Sequence, residues 1–266
     1  MTKPGLADLI SSPLNVRSPD ATERITAALA EHGVAVFDGV NDRTALLRLA
    51  TQLGSIATHP HSDPSGITTI TTRPGPLRAG AAAFTDRDLT PHTDRSSLPY
   101  PPALVLAVCA RAAPRGGESL LVNGRAVHAT LSAQAPEAVA DLAGERNVLF
   151  GGAAGHLGSV FEPQPEGRVA IRLRMDELAQ FSPRTQRWLP QLRQAILDHS
   201  DALALPAGRG YVVNNRWWLH GRHHFTGDRM MWRVLLDPPP GRITPGFLPE
   251  HSSTLRDHRP ATADTT

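Results

Sequence analysis

The stretch NNRWWLHGRHHFTGDRMMWRVLLD, residues 214–237, contains two apolar strand patterns with charged side chains beside them. The first pattern ends in Trp-Trp-Leu and is followed directly by His220. The second carries Arg229 and Arg233, which are four residues apart and therefore lie on one face of an extended strand. An arginine among apolar strand residues is costly to bury unless it meets an anion. A ligand carboxylate would suit its planar fork, and pairing with Asp237 or Glu118 at a sheet edge is the alternative.

Short strand patterns lead from this stretch back to residue 100. ALVLAVCARA, SLLVN, RNVLF, RVAIRL and GYVVNN are separated by turn-rich segments such as APRGGE and LPAGRG. Two helical patterns interrupt them, RAVHATLSAQAPEAVADLAG, which we expect to break at Pro136, and RTQRWLPQLRQAILDHS. Many short strands with regular turn signals favour a sandwich or a barrel.

The N-terminal part mixes helix and strand patterns. Residues 21–31 have helical periodicity and end before Gly33, and DRTALLRLATQLG forms a second helical pattern closed by Gly54. VAVFDG between them, and the alternating ITTITT at 67–72, are typical of strands. We therefore expect one mainly β domain with flanking helices over residues 1–250, followed by a polar, disordered tail at 251–266.

Composition limits the function classes. Of the 266 residues 40% are hydrophobic and 20% are charged, and no apolar run approaches the roughly 20 residues that span a bilayer. The single cysteine, Cys109, excludes an intrachain disulfide and a thiolate-rich metal site. The net charge of +2 comes with scattered arginines and only two tyrosines, which argues against a nucleic-acid groove. A cytoplasmic protein without a signal peptide is expected, and a homo-oligomer is compatible with the sequence.

The segment FTDRDLTPHTDRSS, residues 84–97, provides a candidate metal motif. In an extended strand His92 and Asp94 project from the same face while Thr93 points away. A second histidine from a distant strand would complete a facial set of two imidazoles and one carboxylate, and His220, directly after an apolar strand, is a candidate for it. Such a set leaves the opposite coordination positions open for a co-substrate and dioxygen.

Other histidines are weaker candidates. HPHSD at 59–63 is similar to half of a hydrolase metal site, but Pro64 stands where a further histidine is expected. His223 and His224 follow His220 so closely that we interpret them as turn residues.

Four segments in order resemble the taurine/2,4-dichlorophenoxyacetate dioxygenase family, which includes clavaminate synthase-like iron(II)/2-oxoglutarate oxygenases. They are LGSIATHP at 53–60, PHTD at 91–94, GGESL at 116–120 and LHGR at 219–222 with the two arginines after it. The resemblance extends over roughly residues 20–240. It implies a double-stranded β-helix (a cupin-like jelly roll) with helices packed outside it.

The resemblance also implies roles for the residues that match the family motifs. His92, Asp94 and His220 would bind iron(II) and thereby form the catalytic centre. Arg229 would anchor the distal carboxylate of 2-oxoglutarate, with help from the hydroxyl of Ser119, where the family usually has threonine. The turn between His220 and Arg229 is slightly short, which leaves Arg233 as the alternative anchor.

Four further residues are candidate substrate contacts. Arg233 and His59 match substrate-contacting positions of the family, and Arg95 and Asp88 flank the metal motif. We expect a small anionic substrate, with an amino acid or a derivative as the leading class, whose amine Asp88 would meet.

The expected reaction is oxidation of an unactivated C–H bond, most simply hydroxylation, with O2 consumed and succinate and CO2 released. The alternatives from other classes are a cupin-like metal-binding or sensor module without oxygenase activity, and an isomerase or hydrolase on the same scaffold. The buried Arg229 discriminates against a mere binding module, which has no need for it.

Overall fold

The computed structural model describes residues 11–75 and 79–250, and the structure is mainly β with several helices. The helices are α1 (Ala21–His32), α2 (Arg43–Leu53), α3 (Gly124–Gln134), α4 (Pro136–Leu142), α5 (Pro183–Gln186) and α6 (Leu189–Asp198). The strands are β1 (Leu14–Asn15), β2 (Val34–Asp38), β3 (Ser55–Ala57), β4 (Thr68–Ile70), β5 (Leu89–His92), β6 (Leu104–Arg111), β7 (Arg115–Gly116), β8 (Ser119–Asn123), β9 (Val148–Phe150), β10 (His156–Gly158), β11 (Phe161–Pro163), β12 (Val169–Ile171), β13 (Ala179–Phe181), β14 (Ser200–Leu203), β15 (Gly210–Asn214), β16 (Trp218–Arg222), β17 (Phe225–Thr226) and β18 (Met230–Asp237).

The helix ends follow their local sequence signals. Helix α1 stops at Gly33, whose φ of 72° places it in the left-handed conformation that glycine adopts without strain. Helix α2 begins behind Asp42, whose side chain accepts a hydrogen bond from the Ala45 amide. The expected break at Pro136 is confirmed, since α3 ends at Gln134 and α4 begins at the proline itself.

Two sheets organise the fold. The larger has the order β1-β2-β15-β6-β18-β3, with β4 also paired to β18. The smaller has the order β14-β8-β16-β5. Strand β18 lies antiparallel to β6, with Arg233 opposite Ala107, and β16 lies between β8 and β5, with His220 opposite both Leu121 and His92.

The alternation of side chains along β6 divides the hydrophobic core in two. Val105, Ala107 and Cys109 belong to a cluster that also holds residues of the smaller sheet and of α3, such as Leu121 and Val127. Leu104, Leu106 and Val108 point to the other face, where α1 and α2 cover the larger sheet. In β18, Met231 and Leu235 belong to the first cluster, so Arg233 between them lies on the face of the larger sheet that packs against the smaller sheet.

The expected elements are largely present. Each quoted strand pattern contains an observed strand, although ITTITT shortens to Thr68–Ile70 and RVAIRL to Val169–Ile171. The polar tail at 251–266 lies outside the described residues. None of the helices that the structure describes has the length and apolarity to cross a membrane.

Candidate active site

Three predicted ligand residues converge at one edge of the smaller sheet. One ligand atom each from His92, Asp94 and His220 lies within 4.8 Å of the others. The two imidazole rings are 4.5 Å apart between centroids, and His220 Nε2 lies 3.4 Å from Asp94 Oδ2. The chain segments that meet here are more than 120 residues apart, and the fold brings them together as the sequence motifs predict.

Backbone pairing between β5 and β16 positions the two histidines. His92 is the last residue of β5 and lies directly opposite His220 in β16. Asp94 differs from expectation because the strand ends before it and the carboxylate projects from the following turn. Thr93 points away as expected, toward Leu173, whose amide and carbonyl it contacts.

The donor atoms fit a divalent iron ion. The Nδ1 of His92 lies 2.9 Å from the carbonyl of Thr90, an acceptor that fixes a proton on Nδ1 and leaves the lone pair on Nε2. Two imidazoles and one carboxylate with room on the opposite side are the donor set of non-haem iron(II) oxygenases. The residues present therefore suit this metal.

Electrostatics hold these groups in the protonation states that a metal requires. Burial, and next the neighbouring His220, lower the pKa of His92 to about 4, so its ring is neutral at pH 7. Burial alone would raise the pKa of Asp94, but Arg233 and the hydrogen bond with His220 outweigh it and hold that pKa well below its usual range. A neutral imidazole and an ionised carboxylate bind a metal without losing a proton first.

A narrow inner cavity extends from the two histidines into the space between the sheets. Its wall includes Ser119 of β8, Tyr211 of β15 and Arg229, which precedes β18. Arg229 is 7% exposed, and its Nε donates to the carbonyl of Gly117 at 3.1 Å. No described carboxylate forms an ion pair with Arg229, so Asp237 and Glu118 do not neutralise it.

The phenol of Tyr211 stays protonated beside this cavity. Burial raises the pKa of Tyr211 to about 12, so it remains neutral and can donate a hydrogen bond at physiological pH. Burial also lowers the pKa of Arg229, but the guanidinium stays charged. The inner cavity therefore presents a buried cation and two hydroxyl groups to whatever enters it.

Arg222 adds a second buried guanidinium to the inner cavity wall. It is 3% exposed and donates to the carbonyls of Ala83 at 3.1 Å, Thr85 at 2.8 Å and Arg87. These carbonyls belong to the segment that separates the inner cavity from a larger outer one, since Ala83 lines both. Arg222 thus ties this segment to the strand that carries His220.

The outer cavity, of about 320 Å³, opens on the other side of the metal ligands. The predicted substrate residues His59, Asp88, Arg95 and Arg233 all line it. Arg95 has a φ of 56°, an uncommon conformation for a non-glycine residue, and it follows the ligand Asp94 directly. Backbone conformations of this kind persist where the surroundings enforce them, as they do at functional sites.

Arg233 lines both cavities and is already engaged. Its Nη1 donates to both carboxylate oxygens of Asp94, at 2.8 and 3.0 Å. Its Nη2 lies 3.3 Å from Nε2 of His59, and burial together with Arg233 lowers the pKa of His59 to about 4. Arg233 therefore restrains the carboxylate of Asp94, a contact that the sequence did not predict, while no carboxylate in the described part of the chain pairs with Arg229.

Besides Asp94, two described acidic side chains line the outer cavity. Asp88 is highly exposed and accepts a hydrogen bond from the His224 amide at 2.8 Å. Asp176, which sequence reasoning missed, is less exposed and forms an ion pair with Arg174 on the same wall. The motif RLRMDEL gave no signal for it, because only the packing of this segment against the site turns it inward.

Comparisons with known proteins identify a matching family model and a relative in sequence. The family model described as "Taurine catabolism dioxygenase TauD, TfdA family" matches residues 8–235. Glutarate 2-hydroxylase from Pseudomonas putida (strain F1) is 33% identical over 81 residues, which make up 29% of this chain. The matched part is only 25% of that enzyme's own length.

Several solved structures are similar in fold. An asparagine oxygenase in complex with Fe(II), 3-hydroxyasparagine and succinate has a TM-score of 0.69 at 18% identity, covering 82% of this chain and 79% of its own. The non-haem iron oxygenase OrfP with Fe, succinate and dihydroxy-L-Arg has a TM-score of 0.64 at 15% identity, with 83% and 81% covered. PvcB from Pseudomonas aeruginosa has a TM-score of 0.63 at 16% identity, with 81% and 79% covered. At these identities the likeness is one of fold.

Proposed function

The chain belongs to the TauD/TfdA dioxygenase family, and from that premise we propose that it is an iron(II)- and 2-oxoglutarate-dependent dioxygenase that hydroxylates a small anionic substrate. The observation that carries the proposal is the position of the His92, Asp94 and His220 cluster between two cavities of different character. The inner cavity ends at a buried, unpaired guanidinium, and the outer cavity has room for a small molecule. A metal-binding module without a co-substrate would have no use for the buried guanidinium of the inner cavity.

The bound iron would supply the oxidising chemistry, in which O2 and 2-oxoglutarate are consumed, succinate and CO2 are released, and an oxygen atom is added to the substrate. His92, Asp94 and His220 would hold the metal. Arg229 receives the distal carboxylate of 2-oxoglutarate in the inner cavity, and Ser119 donates a hydrogen bond to it. This assignment is supported by two observations: no carboxylate of the described residues forms an ion pair with Arg229, and Arg233 is engaged with Asp94.

The protein's own contribution is to orient both ligands and to exclude water. The buried cation and the hydroxyl of Tyr211 favour a carboxylate over water in the inner cavity, because an anion there meets a charge that is otherwise uncompensated. The segment held by Arg222 separates this compartment from the outer cavity. The substrate C–H bond is thereby presented to the open side of the metal ligands and not to bulk solvent.

The substrate we propose carries a carboxylate and belongs to the amino acids, their derivatives or small dicarboxylates. Arg95 offers a positive charge beside Asp94, with the neutral ring of His59 on the same cavity wall, and Asp176 or Asp88 would face an amine at a distance from it. The similar proteins support this range, since they include an asparagine oxygenase, the oxygenase OrfP in complex with dihydroxy-L-Arg, and a glutarate 2-hydroxylase.

The two main sheets are also consistent with a double-stranded β-helix, which we propose as the fold, in one domain over residues 1–250. This proposal is supported by the fold likeness to the oxygenases above.

A direct test is to supply the protein with iron(II), 2-oxoglutarate, O2 and a panel of amino acids and dicarboxylates. We expect succinate in amounts that rise with one class of substrate and a product about 16 mass units heavier. The His220→Ala variant should form neither. Succinate formation that no anionic substrate stimulates would contradict the proposed substrate class, and no succinate from any mixture would contradict the activity.

A further inference from the structure

The side chain of Asn215 connects the two segments that carry the metal ligands. Its Oδ1 accepts a hydrogen bond from the Asp94 amide at 2.8 Å, and its Nδ2 donates to the Asp94 carbonyl at 3.0 Å. The same Nδ2 donates to the carbonyl of Pro102 at 2.9 Å. Asn215 is fully buried and lies five residues before His220, in the turn between β15 and β16.

These contacts use the full donor capacity of the amide. Both Nδ2 hydrogens have acceptors, and Oδ1 has a donor, so the side chain has one satisfied orientation. Two of the three bonds go to the backbone of one residue, Asp94, in the manner of a strand pair. Asp94 lies in a turn beyond the end of β5, where strand pairing does not extend, and the side chain of Asn215 takes the place of a backbone partner there.

The backbone around Asp94 needs such a constraint. The next residue, Arg95, has a φ of 56°, which a non-glycine residue rarely adopts without support from its surroundings. Without a partner for its amide and carbonyl, the turn could relax and rotate the carboxylate away from the two imidazoles. The carboxylate itself is additionally restrained by Arg233, which acts on the side chain and not on the backbone.

From these contacts we infer that Asn215 is a positioning residue of the metal centre. It sets the backbone of Asp94 relative to the strand that carries His220, and it thereby holds the carboxylate within reach of the metal. The inference rests on the proposed metal site. It assigns to Asn215 an effect on metal affinity beyond its contribution to stability, since outer partners of metal ligands typically change affinity by about 10- to 100-fold.

The neighbouring Asn214 provides a matched control. It is also buried, at 1% exposure, and its side chain also makes two backbone contacts, donating to the Thr244 carbonyl and accepting from the Arg216 amide. Neither contact involves a metal-ligand residue. Removing the amide of Asn214 therefore tests the cost of losing a buried asparagine beside the site without loosening Asp94.

The experiment compares Mn(II) affinity, without 2-oxoglutarate, among the unmodified protein and the Asn215→Ala, Asn215→Ser and Asn214→Ala variants. Free Mn(II) is measured by electron paramagnetic resonance, and thermal unfolding of each metal-free variant is recorded. We expect Asn215→Ala to bind Mn(II) about 10- to 100-fold more weakly, and Asn215→Ser to lie between it and the unmodified protein. The Mn(II) affinity of Asn214→Ala should stay within about threefold of that of the unmodified protein, even if its melting temperature falls as far as that of Asn215→Ala.

The outcomes separate the inference from the proposed function. Equal Mn(II) affinity of the Asn215 variants and the unmodified protein would overturn the role of Asn215 while leaving the metal site in place. Equal weakening by Asn214→Ala would also overturn it, by showing a general effect of lost stability. Failure of the unmodified protein to bind Mn(II), with a His220→Ala variant indistinguishable from it, would instead overturn the proposed metal site. If Asn215→Ala does not fold, the serine variant, which keeps a hydrogen-bonding group, decides between these results.

Discussion

Replacing Arg229 with glutamine should weaken 2-oxoglutarate binding strongly while leaving the metal site intact. Arg229 is 7% exposed, and no described carboxylate pairs with it. Removing one partner of a buried, hydrogen-bonded charge pair costs about 2–5 kcal/mol of binding free energy. Since about 1.4 kcal/mol corresponds to tenfold in affinity, the dissociation constant should rise by about 30-fold to about 4,000-fold. The hydroxyl of Ser119 remains as a donor, so we expect a value of about 100-fold.

The stability of the ligand-free variant should change little. The Arg229→Gln variant lacks the hydrogen bond from Arg229 Nε to the Gly117 carbonyl, which contributes about 1 kcal/mol to the free energy of unfolding. It also removes a buried charge that has no counter-ion in the ligand-free protein, and this offsets part of the loss. A variant that unfolds outright would therefore point to a structural role for Arg229.

Isothermal titration of 2-oxoglutarate into Mn(II)-loaded protein measures the effect without turnover. Arg229→Lys, which keeps the charge but not the fork, should fall between glutamine and the unmodified protein. Mn(II) affinity in the absence of 2-oxoglutarate serves as the control and should agree within about twofold. A dissociation constant for 2-oxoglutarate that rises less than threefold in Arg229→Gln would refute the assignment of this arginine as the anchor.

Further predictions concern the strand pair and the outer cavity. A Cβ at Gly221 would lie 2.5 Å from the carbonyl oxygen of Leu89, a backbone atom that can move only together with its strand. Gly221→Ala should therefore displace the strand that carries His92 and abolish tight Mn(II) binding in a titration. Burial, the larger cause, and next Arg233 lower the pKa of His59 to about 4, so the Arg233→Gln variant should raise this pKa only part of the way toward 6.5. An NMR titration of the ring measures the change, and an unchanged pKa would contradict the contact between the two side chains. His59 is protonated near pH 6.5 in the unfolded chain but only near pH 4 in the folded chain, so it lowers the free energy of unfolding as the pH falls from 6.5 to 4. His59→Gln should make this decrease smaller in urea unfolding of the metal-free protein, and an unchanged pH dependence would contradict the prediction.

The sequence predicted those parts of the site that rest on local patterns. The two-residue spacing of His92 and Asp94 and the position of His220 after an apolar strand made these residues candidates, and the family resemblance grouped them. The helix ends at Gly33 and Pro136 follow in the same way from backbone conformations that few residues favour or forbid. These features depend on neighbours in the chain.

The remaining features depend on long-range packing, which single-sequence patterns do not encode. Asn215 meets Asp94 across 121 positions, and Arg233 meets it across 139. Residue type and spacing alone do not distinguish Arg233, which pairs with the Asp94 carboxylate, from Arg229, which has no described partner anion; only the family resemblance favoured Arg229 as the anchor. Asp176 likewise has an ordinary sequence context and becomes notable only because its segment lines the outer cavity. That residues 1–250 form one domain remains a prediction.

The direct measurement of the central claim is anaerobic addition of 2-oxoglutarate to the iron(II)-loaded protein, followed by visible absorbance. If His92, Asp94 and His220 hold iron on one face and leave the inner side open to the co-substrate, a charge-transfer band should appear and saturate at one 2-oxoglutarate per chain. The band should be absent in Asp94→Ala and His220→Ala variants. Iron bound without a band in the unmodified protein, or an equal band in those variants, would contradict the assignment of these three residues.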